Sequence, residues 1–299
     1  MTERTSPVVV GVDGSPDARA AVRAGAREAH DRAAPLELVL AFPWPEGARV
    51  PAPPGFDGRA VLRTMAELAL ESAAAAATEA GVVAEVRSRV VDGRPVDVLA
   101  AASQSAALLC LGTQGVGAVR DILLGSTAAA LVRASACPVL LVPRRLGSFV
   151  QEGRGVVVGL SGGPGDGDLL ATAFAAAEAR GSELVAVHAW RHRVPGPEHV
   201  AVDPLISESD VLRREQAYLD DALDGWPDRY PAVPVRRVVE HDRPAAALVA
   251  AALTAQLLVV GHRQRGALDQ LGSVAHAVVH RSAAPVLVVP LHRRVGQPA

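Results

Sequence analysis

The sequence predicts an α/β protein made of two tandem, doubly wound parallel sheets with five strands each. Short apolar segments alternate with helical ones along the chain, a pattern typical of strands that crossover helices cover on both faces. The second half of the chain also repeats the motif order of the first half. A length of 299 residues suits two such domains.

The repeat rests on four motifs that recur after a nearly constant interval. Each motif has a counterpart that begins 147 or 148 residues later: Val8–Gly14 with Val156–Gly162, Val90–Pro95 with Val238–Pro244, Leu124–Ser126 with Leu271–Ser273, and Cys137–Pro143 with Ala284–Pro290. Four matches in the same order indicate a duplicated domain. We therefore predict domain 1 over residues 1–145 and domain 2 over residues 154–291.

The elements of the first half each have a local cause. Val8–Val12 is a β-branched run suited to a buried strand, and Pro16 opens the next helix because proline fits a first helical turn. Gly81 is a C-cap for the long second helix. In order, the predicted elements are strand Val8–Val12, helix Pro16–Asp31, strand Leu36–Phe42, helix Ala60–Ala80, strand Val82–Val91, helix Pro95–Ser103, strand Ala107–Leu111, helix Ser126–Ala134 and strand Pro138–Val142.

The second half repeats this alternation. Its predicted elements are Gly155–Leu160, Leu169–Arg180, Glu183–Trp190, Ser207–Trp226, Val233–Glu240, Ala245–Thr254, Leu257–Val260, Ser273–Arg281 and Val286–Val289. Right-handed crossovers make such a sheet doubly wound, with its ligand site at the carboxyl ends of the strands where the winding reverses. If the first and fourth strands are neighbours at that point, the loops that follow them, at Asp13–Ser15 and from Gly112 onwards, face one crevice.

The composition excludes several classes of protein. All 30 basic residues are arginine, which excludes a Walker-A ATPase and a Schiff-base enzyme because both need lysine. The 30 basic and 32 acidic residues nearly cancel, so we expect no nucleic-acid partner. The chain has two cysteines and no leader pattern, so we expect a cytoplasmic location. It has no apolar run of about 20 residues, so we expect no membrane partner.

A glycine-rich loop after the fourth strand is the candidate ligand site. Glycines let the backbone approach an anion, and a helix that starts at Gly125-Ser126-Thr127 offers free N–H groups and hydroxyls to a phosphate. The alternative is that the glycines are turn residues and Ser126 is an N-cap. The glycine spacing excludes a dinucleotide fingerprint, since the third glycine is missing.

This loop resembles the ATP-binding signature of the universal stress protein family, Gly-x2-Gly-x9-Gly-Ser. Gly112, Gly115, Gly125 and Ser126 match the signature at full spacing, and Val8–Ser15 is similar to the family's first strand. The motif order of both halves resembles the tandem universal stress proteins of actinobacteria, including mycobacterial ones. The resemblance implies the Rossmann-like fold of that family, ATP binding and a role in stress response or signalling.

The resemblance also implies a role for particular residues of domain 1. Asp13 would contact the ribose, the backbone near Ala41 would contact adenine, and the glycines would surround the phosphates. Mg²⁺ would be held mainly by the phosphates. The implied site residues are Gly11, Asp13, Ala41, Gly112, Gly115, Gly117, Gly125, Ser126 and Thr127.

Domain 2 departs from this pattern. Ser161 replaces Asp13, Gln264 stands where the second glycine belongs, and the interval from Gly261 to Gly272 is two residues shorter. We expect a weak, altered or empty second site at Gly159, Gly261, Gly266, Gly272 and Ser273. Ser161–Asp166 also resembles the Ser-Gly-Gly-x-Asp-Ser loop of ATP pyrophosphatases, but it is one residue too long, and a glycine-rich turn is the favoured interpretation.

Three functions stay open from the sequence: an ATP-binding regulator, a scaffold that binds no nucleotide, and a slow ATPase or ATP-pyrophosphatase relative. No spacing supports a catalytic triad or paired carboxylates, so we expect a protein that is not an enzyme. The histidines, among them His188, His276 and His280, are dispersed along the chain, and we expect no metal site.

The closing strand of each domain bears on assembly. An apolar strand at a sheet edge invites pairing, and in the family this strand joins two domains. We therefore predict an intramolecular pseudo-dimer through Pro138–Pro143 and Pro285–Pro290, with homodimer formation left open.

Overall fold

The computed structural model describes residues 5–44, 57–79, 85–115, 124–143, 155–163, 165–191, 208–263 and 272–291. These residues fall into two compact units, unit 1 up to Pro143 and unit 2 from Gly155 onward. Each unit contains a five-stranded parallel sheet with helices in the crossovers. The predicted fold class of the two domains is confirmed.

Strands and helices alternate through the described residues of unit 1. They are β1 (Val8–Gly11), α1 (Pro16–Asp31), β2 (Leu36–Phe42), α2 (Gly58–Glu79), β3 (Val86–Asp92), α3 (Pro95–Ser103), β4 (Leu108–Gly112), α4 (Ser126–Ala134) and β5 (Val139–Val142). The strand order is β3-β2-β1-β4-β5, and every pair is parallel. β1 lies between β2 and β4, so the winding reverses beside the loops that follow β1 and β4.

Unit 2 repeats the arrangement. Its described elements are β6 (Val156–Leu160), α5 (Asp166–Ala179), β7 (Leu184–Trp190), α6 (Glu208–Leu223), α7 (Trp226–Arg229), β8 (Val235–His241), α8 (Pro244–Ala251), a 3-10 turn (Ala252–Thr254), β9 (Leu257–Arg263), α9 (Ser273–Arg281) and β10 (Val286–Leu291). The strand order is β8-β7-β6-β9-β10, again parallel throughout.

Most predicted boundaries lie close to the observed ones, with two informative errors. The prediction of one helix through Trp226 is wrong, because Gly225 has a φ of +70° and separates α6 from α7. The fourth strand of unit 2 extends beyond Val260, since Gly261 and the next residues pair with β10. The predicted C-cap Gly81 lies outside the described residues.

Close packing of α1 on the sheet positions the functional edge of unit 1. Val8, Val9 and Val10 are completely buried in β1. Gly25 faces this strand, and a Cβ at Gly25 would lie 2.5 Å from Val10 Cγ2. The glycine therefore lets α1 approach β1 closely, which brings the start of α1 beside the end of β4.

Both cysteines are buried core residues. Cys110 and Cys137 are free thiols, and burial is the main cause that raises the pKa of each. A raised thiol pKa keeps the sulfur protonated and unreactive. No helix in the described part of the chain is long and apolar enough to cross a membrane.

Candidate functional site

The loop after β1 is organised by Asp13 and Ser15. Asp13 Oδ1 accepts the backbone N–H of Ser15 at 2.9 Å, and Ser15 Oγ caps α1 by accepting the N–H of Ala18 at 3.1 Å. Gly14 lies between them with a φ of +81°, a conformation that favours glycine. The turn leaves the side chain of Asp13 exposed at the carboxyl edge of the sheet.

The loops after β1 and β4 meet at this edge. A Cβ on Gly115 would lie only 2.7 Å from Asp13 Oδ2, so the carboxylate lies directly against the glycine backbone. The N–H of Gly125 donates to the carbonyl of Thr113 at 2.7 Å, which brings the start of α4 to the same place. The structure therefore brings together Asp13, Gly115 and Gly125, whereas Gly117 lies outside the described residues.

The start of α4 is accessible to a ligand. Gly125 is the N-cap residue and provides no side-chain cap, while Ser126 is the first helical residue and is exposed. The alternative that Ser126 serves as the N-cap is therefore wrong. Thr127 follows in the same first turn and is half-buried. Uncapped N–H groups at a helix start, with a hydroxyl beside them, suit an anion.

Asp17 positions the glycine loop, a role that was not predicted from the sequence. The side chain is 2% exposed, and its Oδ2 accepts the N–H of Gln114 at 3.0 Å and the hydroxyl of Thr113 at 3.3 Å. A Cβ on Gly112 would lie 2.7 Å from the carbonyl carbon of Asp17. The available signal was an acidic residue in the first turn of α1, where the helix dipole favours negative charge.

Two other predicted residues of unit 1 have a local structural role. A Cβ on Gly11 would lie 2.7 Å from Leu111 Cδ2 and 2.9 Å from Leu99 Cδ1, so this glycine is needed for packing. Ala41 is half-buried near the end of β2 and pairs in register with Val91. Its backbone is close to the carboxyl edge of the sheet, as the predicted adenine contact requires.

In unit 2 the corresponding edge is closed by side chains of that unit. Asp166 is 7% exposed, and its Oδ2 accepts the N–H groups of Ser161 at 3.1 Å and Gly162 at 3.0 Å. The hydroxyl of Tyr218 on α6 donates to the same oxygen. A carboxylate engaged in this way stabilises the loop itself, which is the structural role expected of a glycine-rich turn.

The two units differ most clearly at Gly14 and its counterpart Gly162. Among the described residues, the nearest neighbour of a Cβ on Gly14 would be the methyl group of Ala69, at 3.8 Å. A Cβ on Gly162 would lie 3.5 Å from the ring of Tyr218. Within the described part of the chain, the first loop therefore faces a small alanine side chain, whereas a large tyrosine ring takes the equivalent place in unit 2.

His188 on β7 adds further polar contacts at the same edge of unit 2. Its Nε2 lies 2.7 Å from the carboxylate of Glu215 on α6, and its Nδ1 lies 3.1 Å from the carbonyl of Leu160 at the end of β6. The imidazole ring also lies 4.8 Å from the ring of Tyr218. β6, β7 and α6 are therefore joined by polar contacts above the sheet edge.

The predicted second-site glycines mostly serve packing. A Cβ would lie 2.8 Å from Leu248 Cδ1 at Gly159 and 2.6 Å from Leu291 Cδ1 at Gly261. Gly272 is the N-cap of α9, Ser273 is exposed at its first position, and Gly266 lies outside the described residues.

Comparison with known proteins decides the family. The model of the universal stress protein family matches residues 5–143 and again residues 154–290. The chain belongs to the universal stress protein family. The resemblance suggested by the glycine loop is thereby confirmed, and two tandem copies of the family domain fit an intramolecular pairing.

Curated relatives share this tandem organisation. A universal stress protein of Mycobacterium tuberculosis is 37% identical over 295 residues, covering 94% of this chain and 96% of the relative. A second universal stress protein of the same organism is 36% identical over 312 residues, covering 98% of this chain and 97% of the relative. The crystal structure of a universal stress protein from Archaeoglobus fulgidus has a TM-score of 0.70 at 18% identity and covers 96% of this chain and 99% of that one, which supports the fold.

The tyrosine that closes the second universal stress protein domain leads to a pH-dependent prediction. Burial, followed by the hydrogen bond to Asp166, raises the pKa of Tyr218 above its ordinary value. The pKa of Tyr218 is therefore higher in the folded state than in the unfolded state. The protonated hydroxyl thus stabilises the folded protein below about pH 10, and this stabilisation is lost as the pH rises further. We expect Tyr218→Phe to lower the free energy of unfolding by about 1 kcal/mol at neutral pH, because the hydrogen bond to Asp166 is lost.

The measurement is urea unfolding at neutral pH and again at about pH 11. The wild type should lose more free energy of unfolding between the two conditions than Tyr218→Phe does. Tyr230→Phe removes the other tyrosine hydroxyl of the chain and should retain the wild-type loss. Equal losses in the wild type and Tyr218→Phe would contradict the assignment.

Proposed function

We propose that unit 1 binds ATP and that the protein acts as a stress-response or signalling regulator through this binding. The observation that carries the proposal is the convergence of Asp13, the backbone at Gly115 and the uncapped start of α4. Family membership supports the regulatory role. No activity beyond binding is assigned to the protein.

Each part of the site matches one part of the nucleotide. The N–H groups at the start of α4 and the hydroxyl of Ser126 suit the phosphates, and the missing side chain at Gly115 allows them to come close. Asp13 has an exposed carboxylate that can accept a hydrogen bond from the ribose. Mg²⁺ bound mainly by the phosphates would offset their negative charge.

We further propose that ATP occupies unit 1 alone. The hydroxyl of Tyr218 donates a hydrogen bond to Asp166 at the edge of unit 2, and Ser161 replaces the carboxylate of Asp13. A nucleotide would have to displace the tyrosine ring and break this contact. The domains then have different tasks, with ligand binding in domain 1 (residues 1–145) and a structural role for domain 2 (residues 154–291).

Assembly and location complete the proposal. The two domains pair through Pro138–Pro143 and Pro285–Pro290, a proposal that the tandem family match and the buried, apolar β5 and β10 support. The two free, buried thiols suit a reducing compartment such as the cytoplasm.

The decisive prediction concerns Asp13. Calorimetric titration of Mg-ATP into the full chain should give one binding event, and Asp13→Ala should weaken it about 10-fold or more because a charged hydrogen-bond acceptor is lost. Asp31→Ala is the matched control, since Asp31 is an exposed acid at the opposite end of α1. This control should bind as the wild type does.

Other outcomes distinguish the remaining functions. No saturable binding by the wild type would refute the nucleotide proposal and favour a scaffold. Two equivalents of ATP would refute the restriction to unit 1. Rapid ADP formation that one side-chain substitution abolishes would show an enzyme instead.

A further inference from the structure

Two histidines on α9 form a close pair outside the proposed nucleotide site. His276 and His280 are four residues apart, and their ring centroids are 4.4 Å apart with a 40° tilt. His276 is exposed and His280 is half-buried. The dispersed histidine positions in the sequence obscured this pair, although the His-x3-His spacing inside a predicted helix was the signal available.

The helix backbone holds the pair in place. Residues four apart lie on the same helix face, one turn from each other. On the other side of α9, Ala275, Val278 and Val279 are buried, which ties the helix to the unit and limits its rotation. The two imidazoles are therefore brought together by the fold before any ligand arrives, so little ordering would accompany binding.

Imidazole is a preferred ligand of zinc, copper and nickel ions, with metal–nitrogen distances of about 2.0–2.1 Å to zinc. Two rings with centroids 4.4 Å apart can turn one nitrogen each toward a shared ion.

We propose that His276 and His280 chelate a divalent transition-metal ion on the surface of unit 2. Among the described residues no group of three or more histidine, cysteine, aspartate or glutamate side chains is arranged for a metal ion. The pair is thus a two-ligand site, and water completes the coordination. Such a site is labile, and its open positions are available to a further ligand.

The test is calorimetric titration of Ni²⁺ into the metal-free, nucleotide-free full chain. The wild type should contain one site that His276→Ala and His280→Ala each weaken about 10-fold or more, because each variant retains a single imidazole in place of a chelate. His30→Ala is the matched control, since His30 is an exposed histidine in the last turn of α1. It should leave the site unchanged.

Thermal unfolding gives a second measurement. Ni²⁺ should raise the Tm of the wild type and of His30→Ala by linkage, and the rise should be smaller in both α9 variants. Equal Ni²⁺ affinity in the wild type and His276→Ala would overturn the proposal, as would loss of the site in His30→Ala. Because His276 is exposed, its variant decides the question even if His280→Ala folds poorly. ATP is absent, so the result is independent of the nucleotide proposal.

Discussion

Replacing Gly112 with alanine is expected to lower the free energy of unfolding of unit 1 by about 1–3 kcal/mol and to abolish its ATP binding. The new Cβ would lie 2.7 Å from the carbonyl carbon of Asp17 and 2.9 Å from its carbonyl oxygen. Both are backbone atoms of α1, so α1 or β4 must shift. Either shift disturbs the bond from Gln114 to Asp17 that holds the glycine loop.

Urea unfolding and ATP calorimetry measure the two parts of this prediction. Gly167→Ala is the control, because a Cβ there would meet no atom of the described residues within 4 Å and the residue is in the first turn of α5. Alanine has a higher helix propensity than glycine, so the free energy of unfolding of this control should equal that of the wild type or exceed it by up to about 1 kcal/mol. A Gly112→Ala protein with wild-type stability and affinity would contradict the close approach of α1 and β4.

Phe174→Ala should produce the largest loss of stability, about 3–5 kcal/mol in unit 2. Phe174 on α5 is completely buried. Its ring stacks on Trp226 at the start of α7 and on Tyr230, the C-cap residue of α7, with centroid distances of 5.4 and 5.2 Å. Truncation leaves a cavity and removes both ring contacts, so the stacking between α5 and the end of the α7 region is lost.

Tryptophan fluorescence during urea unfolding follows this change through Trp226. Leu253→Ala is the control, because Leu253 is 67% exposed and its truncation should change the free energy of unfolding by less than about 0.5 kcal/mol. ATP binding by unit 1 should persist in Phe174→Ala. If binding were lost, the ligand site would depend on the core of unit 2, against the proposed division of tasks.

Much of the fold follows from local patterns in the chain. The β-branched run at Val8–Val10 predicts a strand covered on both faces, and it is completely buried. Pro16 marks the start of α1 within its first turn. The adjacency of β1 and β4 is different, because the sequence does not display it and the pairing of the two strands in the folded sheet provides it.

The end of α6, before Gly225, was harder to predict from the sequence. The periodic apolar pattern continues to Trp226, but Gly225 takes the left-handed conformation and the helix restarts as α7. The stacking of Trp226 on Phe174 stabilises this break. That contact joins residues far apart in the chain, so no local pattern could reveal it.

The sequence alone determined the duplication, the alternation of strands and helices and the glycine loop, because each depends on residues close together in the chain. Tertiary structure decided how the two edges differ. Asp17 supports the loop of unit 1 from 97 residues away, and Tyr218 closes the edge of unit 2 through a contact with Asp166, 52 residues away. Such contacts depend on how closely helices and strands pack against each other in the folded chain. The sizes of the side chains at the contact, including the missing side chain of glycine, determine that distance.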